Sequence, residues 1–210
     1  MQIVSTECVE TLADAVSKEC GDLVAVCAVL EDPVGPVVLF SPCDMSDDRF
    51  TDGDKTFTVT ASSYYAPNAE KPYKAFAGLE SSAEPGSDTN QWTTSCPLYS
   101  VATGNFEGTY LCCNTSVYGT KVPGEWLQLH SDQKHAVNSI RVTANFGNPS
   151  RAPRSFLLVG SDDEATWTLL HSEHAIDGWE SKQSRVFVVP DETAHDSYHY
   201  FRLVVPEPRD

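Results

Sequence analysis

The sequence predicts an all-β protein built around a jelly-roll β-sandwich. From residue 55 onward, short runs of alternating apolar and polar residues are separated by turn residues, with no helical periodicity between them. In the run from 138 to 144, Ile140 and Val142 share one face and Arg141 lies on the other, as in a half-buried strand. Hydrophobic residues make up 40% of the 210, which is enough for a packed core.

Eight such runs are predicted to be strands of the sandwich. They cover residues 56–62, 109–113, 126–129, 138–144, 155–159, 166–171, 185–189 and 198–205. Strands this short and this closely spaced favour two packed layers over a helical or mixed fold. We therefore predict one sandwich domain over residues 55–210.

Residues 1–54 differ from the rest and are predicted to be an N-terminal extension with an acidic linker. Apolar residues at 9, 12, 13, 16 and 20 recur at helical spacing after Thr6, which can cap a helix. Apolar strands are predicted at 23–30 and 37–40, and the acidic stretch 44–54 is predicted to be a solvated linker. A helix-strand-strand unit is too small to stand alone. It forms either an extra layer on the sandwich or an assembly arm that pairs with another subunit.

Charge and cysteine usage exclude several functional classes. The chain carries 30 acidic and 14 basic side chains, a formal net charge of −16, which disfavours nucleic acid and anionic membrane surfaces as partners. No apolar run approaches the ~20 residues that span a bilayer, so membrane insertion is not expected. The start has no signal-peptide pattern, which predicts synthesis in the cytosol. Seven cysteines without regular spacing indicate reduced structural thiols, with one disulfide or a metal site as alternatives.

Several motifs resemble the discoidin, or coagulation factor 5/8 type C, family, which has a galactose-binding-like fold. They lie in the family's order over roughly 150 residues: VTASSYY at 59–65, YKAFAG at 73–78, QW at 91–92, GEWLQL at 124–129, PRSFLLVGSDDEATW at 153–167 and HYFRL at 199–203. The resemblance implies a discoidin-like sandwich that binds a ligand without catalysis.

Most of the motif residues are expected to be structural. Trp92, Trp126 and Trp167 are expected to pack in the core and in a hairpin. The polar side chains of 161–163 are expected to tighten that hairpin by bonding to its backbone. Arg202, on the closing strand, is expected to be a paired structural arginine.

Two departures from the family pattern matter. Ala77 stands where the resemblance places an aspartate that helps to hold a structural calcium, so neither that calcium nor any other cofactor is expected. An acidic loop with Glu80, Glu84 and Asp88 is the alternative source of calcium ligands. Glu164 stands where glycine is usual, which predicts a changed turn in the hairpin.

The resemblance places a ligand site in loops at one end of the sandwich, where a rigid scaffold carries variable chemistry. Aromatic rings can stack on a sugar, while Asn, Arg and His donate to its hydroxyls. The predicted ligand-binding residues are Tyr64, Tyr65, Asn145, Asn148, Arg151, His174 and Trp179. The alternative is that these are ordinary loop residues of a module whose binding face contacts protein.

No catalytic or metal-binding motif appears, and the six histidines are scattered, so no catalytic residue and no metal ligand is predicted. The sequence therefore predicts a non-enzymatic binding module that recognises glycan in an adhesion role. The alternative is a structural or assembly protein, homo-oligomeric or part of a larger assembly, that uses the sandwich for protein contacts. An adhesin-type module made in the cytosol fits a virion or capsid-associated component, with a cytoplasmic protein as the other placement.

Overall fold

The structure is a computed structural model that describes residues 26–31, 47–64, 71–76, 92, 114–144, 149 and 152–206. Its elements are β1 (Val26–Glu31), β2 (Arg49–Asp52), β3 (Lys55–Ala61), a 3-10 turn (Pro72–Phe76), β4 (Asn114–Val117), β5 (Thr120–Thr143), β6 (Phe156–Ser161), β7 (Thr168–Glu173), β8 (Ser184–Val188), α1 (Asp191–Ala194) and β9 (Ser197–Pro206). The predicted all-β fold class is confirmed. None of the helices in these ranges is long and apolar enough to cross a bilayer.

The described strands form a sandwich from antiparallel pairs. The order β2-β3-β5-β9-β6-β7 makes a sheet that we call the front sheet, to which β5 contributes its first half. The second half of β5 pairs with β1 on one side and β8 on the other, and these three form the back sheet. A short hairpin of β4 with the start of β5 lies against the front sheet, where Val117 bridges to Trp167.

A bend in β5 makes the two layers. Its register with β9 shifts between His130 and His135. Ser131 Oγ and His135 Nε2 lie 2.9 Å apart there, and both side chains are buried. Leu127 from the first half and Ile140 from the second line the same apolar cavity, so the two halves face each other across the core.

The alternating pattern accounts for the core. Inward positions of β3, β5, β6 and β9 form one cluster: Phe57, Val59, Leu127, Leu129, Phe156, Leu158, Phe201 and Leu203. Trp92 and Trp167 are 6% and 1% exposed, which confirms their predicted structural role. Trp126 is partly buried in a second cluster on the outer side of the front sheet.

Local differences from the sequence prediction have physical reasons. Residues 126–129 and 138–144, predicted as two strands, belong to one strand because pairing with β9 continues on both sides of the bend. Residues 49–52, predicted as linker, form β2: they pair with residues 55–58, and Phe50 packs on the core.

The N-terminal extension is described only in part. The strand predicted at 23–30 overlaps β1, which pairs with β5 of the same chain. The helix pattern, the strands predicted at 37–40 and 109–113, and the residues considered for calcium (Ala77, Glu80, Glu84, Asp88) lie outside the described residues. The domain boundary between residues 54 and 55 stays a prediction.

Candidate functional site

One end of the sandwich gathers the ends of several strands, and we call it the loop end. A single row crosses the front sheet through Ala61, Leu127, Leu203, Leu158 and His171. Just past this row β3 and β7 end and β6 begins. The back sheet reaches the same loops, because the Ala144 N–H donates to the Gln183 carbonyl at 2.8 Å and the Ile176 N–H donates to the Arg154 carbonyl at 2.7 Å.

Three of the predicted site residues are described, and all lie at the loop end. Tyr64 follows β3 and is 41% exposed, while His174 follows β7 and is exposed. β3 and β7 are four strand spacings apart along the sheet, about 19 Å. A monosaccharide is much smaller than this separation, so Tyr64 belongs to a different part of the end from His174 and Trp179. Tyr65, Asn145, Asn148 and Arg151 lie outside the described residues.

Trp179 is fixed from several sides. Its Nε1–H donates to the Pro153 carbonyl at 3.1 Å, and its ring packs against the main core cluster. The Arg185 guanidinium lies over the ring, 4.3 Å from its centroid. Arg185 therefore covers one face of the Trp179 ring, and that face is not open for stacking on a ligand.

Two hydrogen bonds hold the Arg185 guanidinium in place over this ring. Its NH2 group donates to the Gly178 carbonyl at 2.8 Å and to Gln183 Oε1 at 3.1 Å. A guanidinium stacked on an aromatic ring keeps its planar donors in one orientation, so little entropy is lost when it binds a ligand. Arg154 and His174 are exposed, and the Arg154 carbonyl accepts a hydrogen bond from the N–H of Ile176, two residues after His174. We call the group Arg154, His174, Trp179 and Arg185 the Trp179 surface.

Acidic residues share this surface. Asp177 and Glu180 are exposed on the same segment as Trp179, and Glu173 Oε1 lies 2.9 Å from His171 Nε2 at the end of β7. Hydrogen-bond donors and acceptors are therefore both exposed on residues 173–180. Such a mixture suits hydroxyl groups, which both donate and accept, and it disfavours a bare anion.

The backbone around Trp179 takes up an unusual conformation. Ala175 and Lys182 have φ of 55° and 61°, a left-handed region that non-glycine residues seldom occupy. Both flank Trp179 within one short segment. Conformations of this kind cost free energy and are concentrated at functional sites.

On the β3 side, a buried carboxylate supports the segment that carries Tyr64. Glu125 is fully buried, and its Oε2 accepts hydrogen bonds from the hydroxyls of Ser62 and Ser63. The Trp92 Nε1–H donates to the Ser63 carbonyl at 2.8 Å. These contacts tie the chain after β3 to the sheet and set the direction in which Tyr64 leaves it.

Arg202 belongs to the scaffold, as predicted, and the groups that contact it directly are aromatic rings and neutral polar side chains. It lies between the rings of Trp126 and Trp167, at 4.0 Å and 4.1 Å from their centroids. Its Nε and NH2 donate to Gln128 Oε1 at 3.0 Å and 2.6 Å. Burial lowers the pKa of Arg202 to about 10, and the charge of nearby Glu164 opposes that shift.

In the hairpin between β6 and β7, Glu164 adopts a φ of 59°, the conformation that glycine favours. Whether the turn differs from the family's usual one stays a prediction. The Glu164 carboxylate accepts a hydrogen bond from Gln128 Nε2 at 3.0 Å, which connects the turn to Arg202. This contact offsets part of the cost of the left-handed residue.

Sequence reasoning missed Arg154 and Arg185 as candidates. Arg185 lies in a run that predicts only a strand, and its contact with Trp179 depends on how β8 leaves the preceding turn. The single usable signal was an arginine a few residues after Gly178-Trp179. As for metals, the ranges that the structure covers hold no group of three or more His, Cys, Asp or Glu side chains placed to bind an ion.

No protein-family model and no curated protein matches the sequence. Among solved structures, the chain is similar to the family 32 carbohydrate-binding module of Clostridium perfringens NanJ in complex with galactose, with a TM-score of 0.40 and 11% identity over 72% of this chain and 83% of that one. It is also similar to CpGH89CBM32-5 from Clostridium perfringens in complex with GalNAc-β-1,3-galactose, with a TM-score of 0.40 and 14% identity over 72% and 85% of the two chains. At this level of similarity neither structure bears on the ligand of this chain.

Proposed function

We propose that this protein is a non-enzymatic carbohydrate-binding module whose ligand contacts the Trp179 surface at the loop end. The observation that carries the proposal is the Arg185 guanidinium, which lies over the Trp179 ring and is held there by two hydrogen bonds. A fixed donor on a rigid sandwich suits the recognition of ring hydroxyls.

The charge of the surface points to a neutral sugar. Arginine alone would also suit a carboxylate or sulfate, but Asp177 and Glu180 are exposed beside it and the chain as a whole carries −16. Repulsion from these groups disfavours anionic ligands, whereas neutral hydroxyls can pair with both signs. The structural or assembly role remains a prediction from sequence, as does the virion placement.

A glycan array with the purified full chain tests the proposal. We expect binding to neutral glycans and none to sialylated or sulfated ones. Arg185→Lys keeps the charge but removes the planar guanidinium over Trp179, and His174→Ala removes an exposed donor. Each change is expected to weaken binding about tenfold, which corresponds to roughly 1.4 kcal/mol and is typical of one charge-assisted hydrogen bond.

Matched controls lie away from the loop end. Arg49→Lys changes an exposed arginine on β2, and His195→Ala changes an exposed histidine after α1. Both are expected to bind like the unmodified chain. The proposal is wrong if the unmodified chain binds no glycan, or if all four variants bind equally well.

A further inference from the structure

Gln183 joins three parts of the loop end through its backbone and its side chain. Its N–H donates to the Glu180 carbonyl at 3.1 Å, and its own carbonyl accepts a hydrogen bond from the Ala144 N–H at 2.8 Å. Its side-chain oxygen accepts hydrogen bonds from the Glu180 N–H and from the NH2 group of Arg185, each at 3.1 Å. Backbone and side chain of Gln183 are therefore both fixed, just before β8 begins.

The partners of the Gln183 side chain determine which way its amide points. Both partners are donors, one a backbone N–H and the other a guanidinium. Because an amide nitrogen can only donate, the oxygen has to face both groups. Residues 180 and 183 also close a turn in which Lys182 has a φ of 61°. The acceptor is therefore part of the turn, and it cannot rotate away from Arg185 without losing its contact with Glu180.

One nitrogen of Arg185 makes both of the hydrogen bonds that hold it. The NH2 group donates to the Gly178 carbonyl at 2.8 Å and to Gln183 Oε1 at 3.1 Å. A guanidinium carries its donors in one rigid plane, so two acceptors at a single nitrogen fix the direction of the remaining donors. Among the residues that the structure describes, no acceptor lies within hydrogen-bonding distance of Nε or NH1 of Arg185. These donors are therefore oriented and open.

A second arginine of the molecule is also held over tryptophan by a glutamine. Gln128 Oε1 accepts hydrogen bonds from Nε and NH2 of Arg202, and Thr115 Oγ1 accepts one from NH1 at 3.1 Å. All three nitrogens of Arg202 are bonded within the scaffold, and the residue is 7% exposed. Arg185 is less buried, and the described residues bind it through one nitrogen only. The same three residue types therefore form a closed contact around Arg202 and an open one around Arg185.

We propose that Gln183 is the positioning residue of the Trp179 surface. Its side-chain oxygen keeps the NH2 group of Arg185 on the turn, and the Nε and NH1 donors are thereby directed to the ligand. The positioning follows from the contacts of Gln183, whereas the role of Nε and NH1 rests on the proposed function. A donor that is ordered before binding loses less conformational entropy when the ligand arrives, which is how Gln183 contributes to affinity.

Nuclear magnetic resonance of the full chain tests the positioning without any ligand. The Nε–H proton of Arg185, whose guanidinium lies over the Trp179 ring, is expected to resonate upfield of that of exposed Arg49. Gln183→Met has no oxygen acceptor and is expected to move the Arg185 resonance toward that of Arg49. Gln183→Glu keeps an acceptor and is expected to leave the resonance upfield. Arg202, which lies between two tryptophan rings, is the internal reference and is expected not to move in either variant.

Glycan affinity tests the consequence for binding. Gln183→Met is expected to weaken binding about fivefold, because the ligand then has to order Arg185 itself. Added to Arg185→Lys, it is expected to weaken binding little further, because both changes act on one contact. Gln183→Glu is expected to bind more tightly than Gln183→Met. Gln133→Met makes the same substitution at a partly buried position in the bend of β5 and is expected to bind like the unmodified chain.

The possible outcomes separate this inference from the proposed function. An Arg185 resonance that does not move in Gln183→Met overturns the positioning. A resonance that moves while glycan affinity stays the same overturns the assignment of Nε and NH1 to the ligand. If the unmodified chain binds no glycan, the proposed function and that assignment are both wrong, and the resonance still decides whether Gln183 positions Arg185.

Discussion

Asp163 holds the turn between β6 and β7 with one carboxylate oxygen. Its Oδ1 accepts the backbone N–H groups of Thr166 and Ala165, each at 2.8 Å, and the Ser161 hydroxyl at 3.0 Å. The predicted tightening of this hairpin by its polar side chains is confirmed. Because three donors favour the charged form, the turn is built for an ionised aspartate.

This bonding makes the hairpin sensitive to acid. Hydrogen bonds from the Thr166 N–H, then the Ala165 N–H and the Ser161 hydroxyl, hold the pKa of Asp163 below its ordinary value of 3.8. Between the two pKa values the unfolded chain binds more protons than the folded one, so stability falls as pH falls through that range. Asp163→Asn keeps an acceptor but cannot ionise. At pH 7 we expect Asp163→Asn to have a lower urea midpoint of unfolding than the unmodified chain. We expect this difference to shrink as the pH drops below 3.8.

Ser161→Ala provides the comparison for this experiment. It removes one of the three donors to the carboxylate, so its stability is expected to depend less steeply on pH in the same range than that of the unmodified chain. The same deficit for Asp163→Asn at pH 7 and at pH 2.5 would show that the charge of Asp163 does not contribute to stability.

At the scale of elements, β5 depends on a glycine where it enters the front sheet. Gly124 pairs with Pro206 of β9 and has a φ of 147°. A Cβ there would overlap the Val205 carbonyl, which is backbone and cannot rotate away. We expect Gly124→Ala to lower the free energy of unfolding by more than about 2 kcal/mol, because overpacking and strain add.

Gly119 is the matched control for Gly124. Its φ is also positive, 79°, but a Cβ built there meets nothing within 4 Å. Gly119→Ala therefore introduces backbone strain without a steric overlap, and we expect it to lower the free energy of unfolding by about 1 kcal/mol. Urea unfolding followed by tryptophan fluorescence measures both. Equal costs for the two variants would mean that the close approach of β9 is not what fixes Gly124.

Much of the fold could be predicted from alternation, and its main irregularity could not. Ile140 and Val142 are fully buried at alternate positions of β5, where the sequence pattern placed them. The bend between His130 and His135 was invisible, because Ser131-Asp132-Gln133-Lys134 has the composition of an ordinary turn between two strands. The alternating pattern reports which face of a strand is buried. The bend depends instead on which strands pair with each half of β5, and the sequence of β5 does not show this.

The site was predictable to a lesser extent. The resemblance placed His174 and Trp179 at the loop end, and the structure has them there. It did not separate Tyr64 from them, because the number of strands between β3 and β7 follows from sheet order rather than from motif order. Arg185 on Trp179 is a contact between a strand and the turn before it, and no spacing rule predicts it.

At the scale of the whole molecule, charge opposes compactness. The chain of 210 residues has 30 acidic and 14 basic side chains, which give it a formal net charge of −16 and a sequence pI near 4.6. Local pairs relieve some repulsion, as where Lys134 Nζ lies 2.6 Å from Asp162 Oδ2. Exposed pairs of this kind stabilise a fold only slightly, so most of the excess negative charge remains uncompensated.

Salt is therefore expected to stabilise this protein at neutral pH. Raising NaCl from about 0.02 M to about 0.5 M shortens the Debye length from roughly 20 Å to about 4 Å, which screens repulsion between acidic side chains. We expect the melting temperature at pH 7 to rise by about 2–4 °C, equivalent to about 1 kcal/mol for a chain of this size. The control is the same titration by calorimetry at pH 4.6, where the net charge is near zero and the rise should disappear. A melting temperature that rises equally at both pH values would indicate a general effect of salt on apolar burial, and one that is flat at pH 7 would mean that the acidic residues are spaced widely enough not to repel.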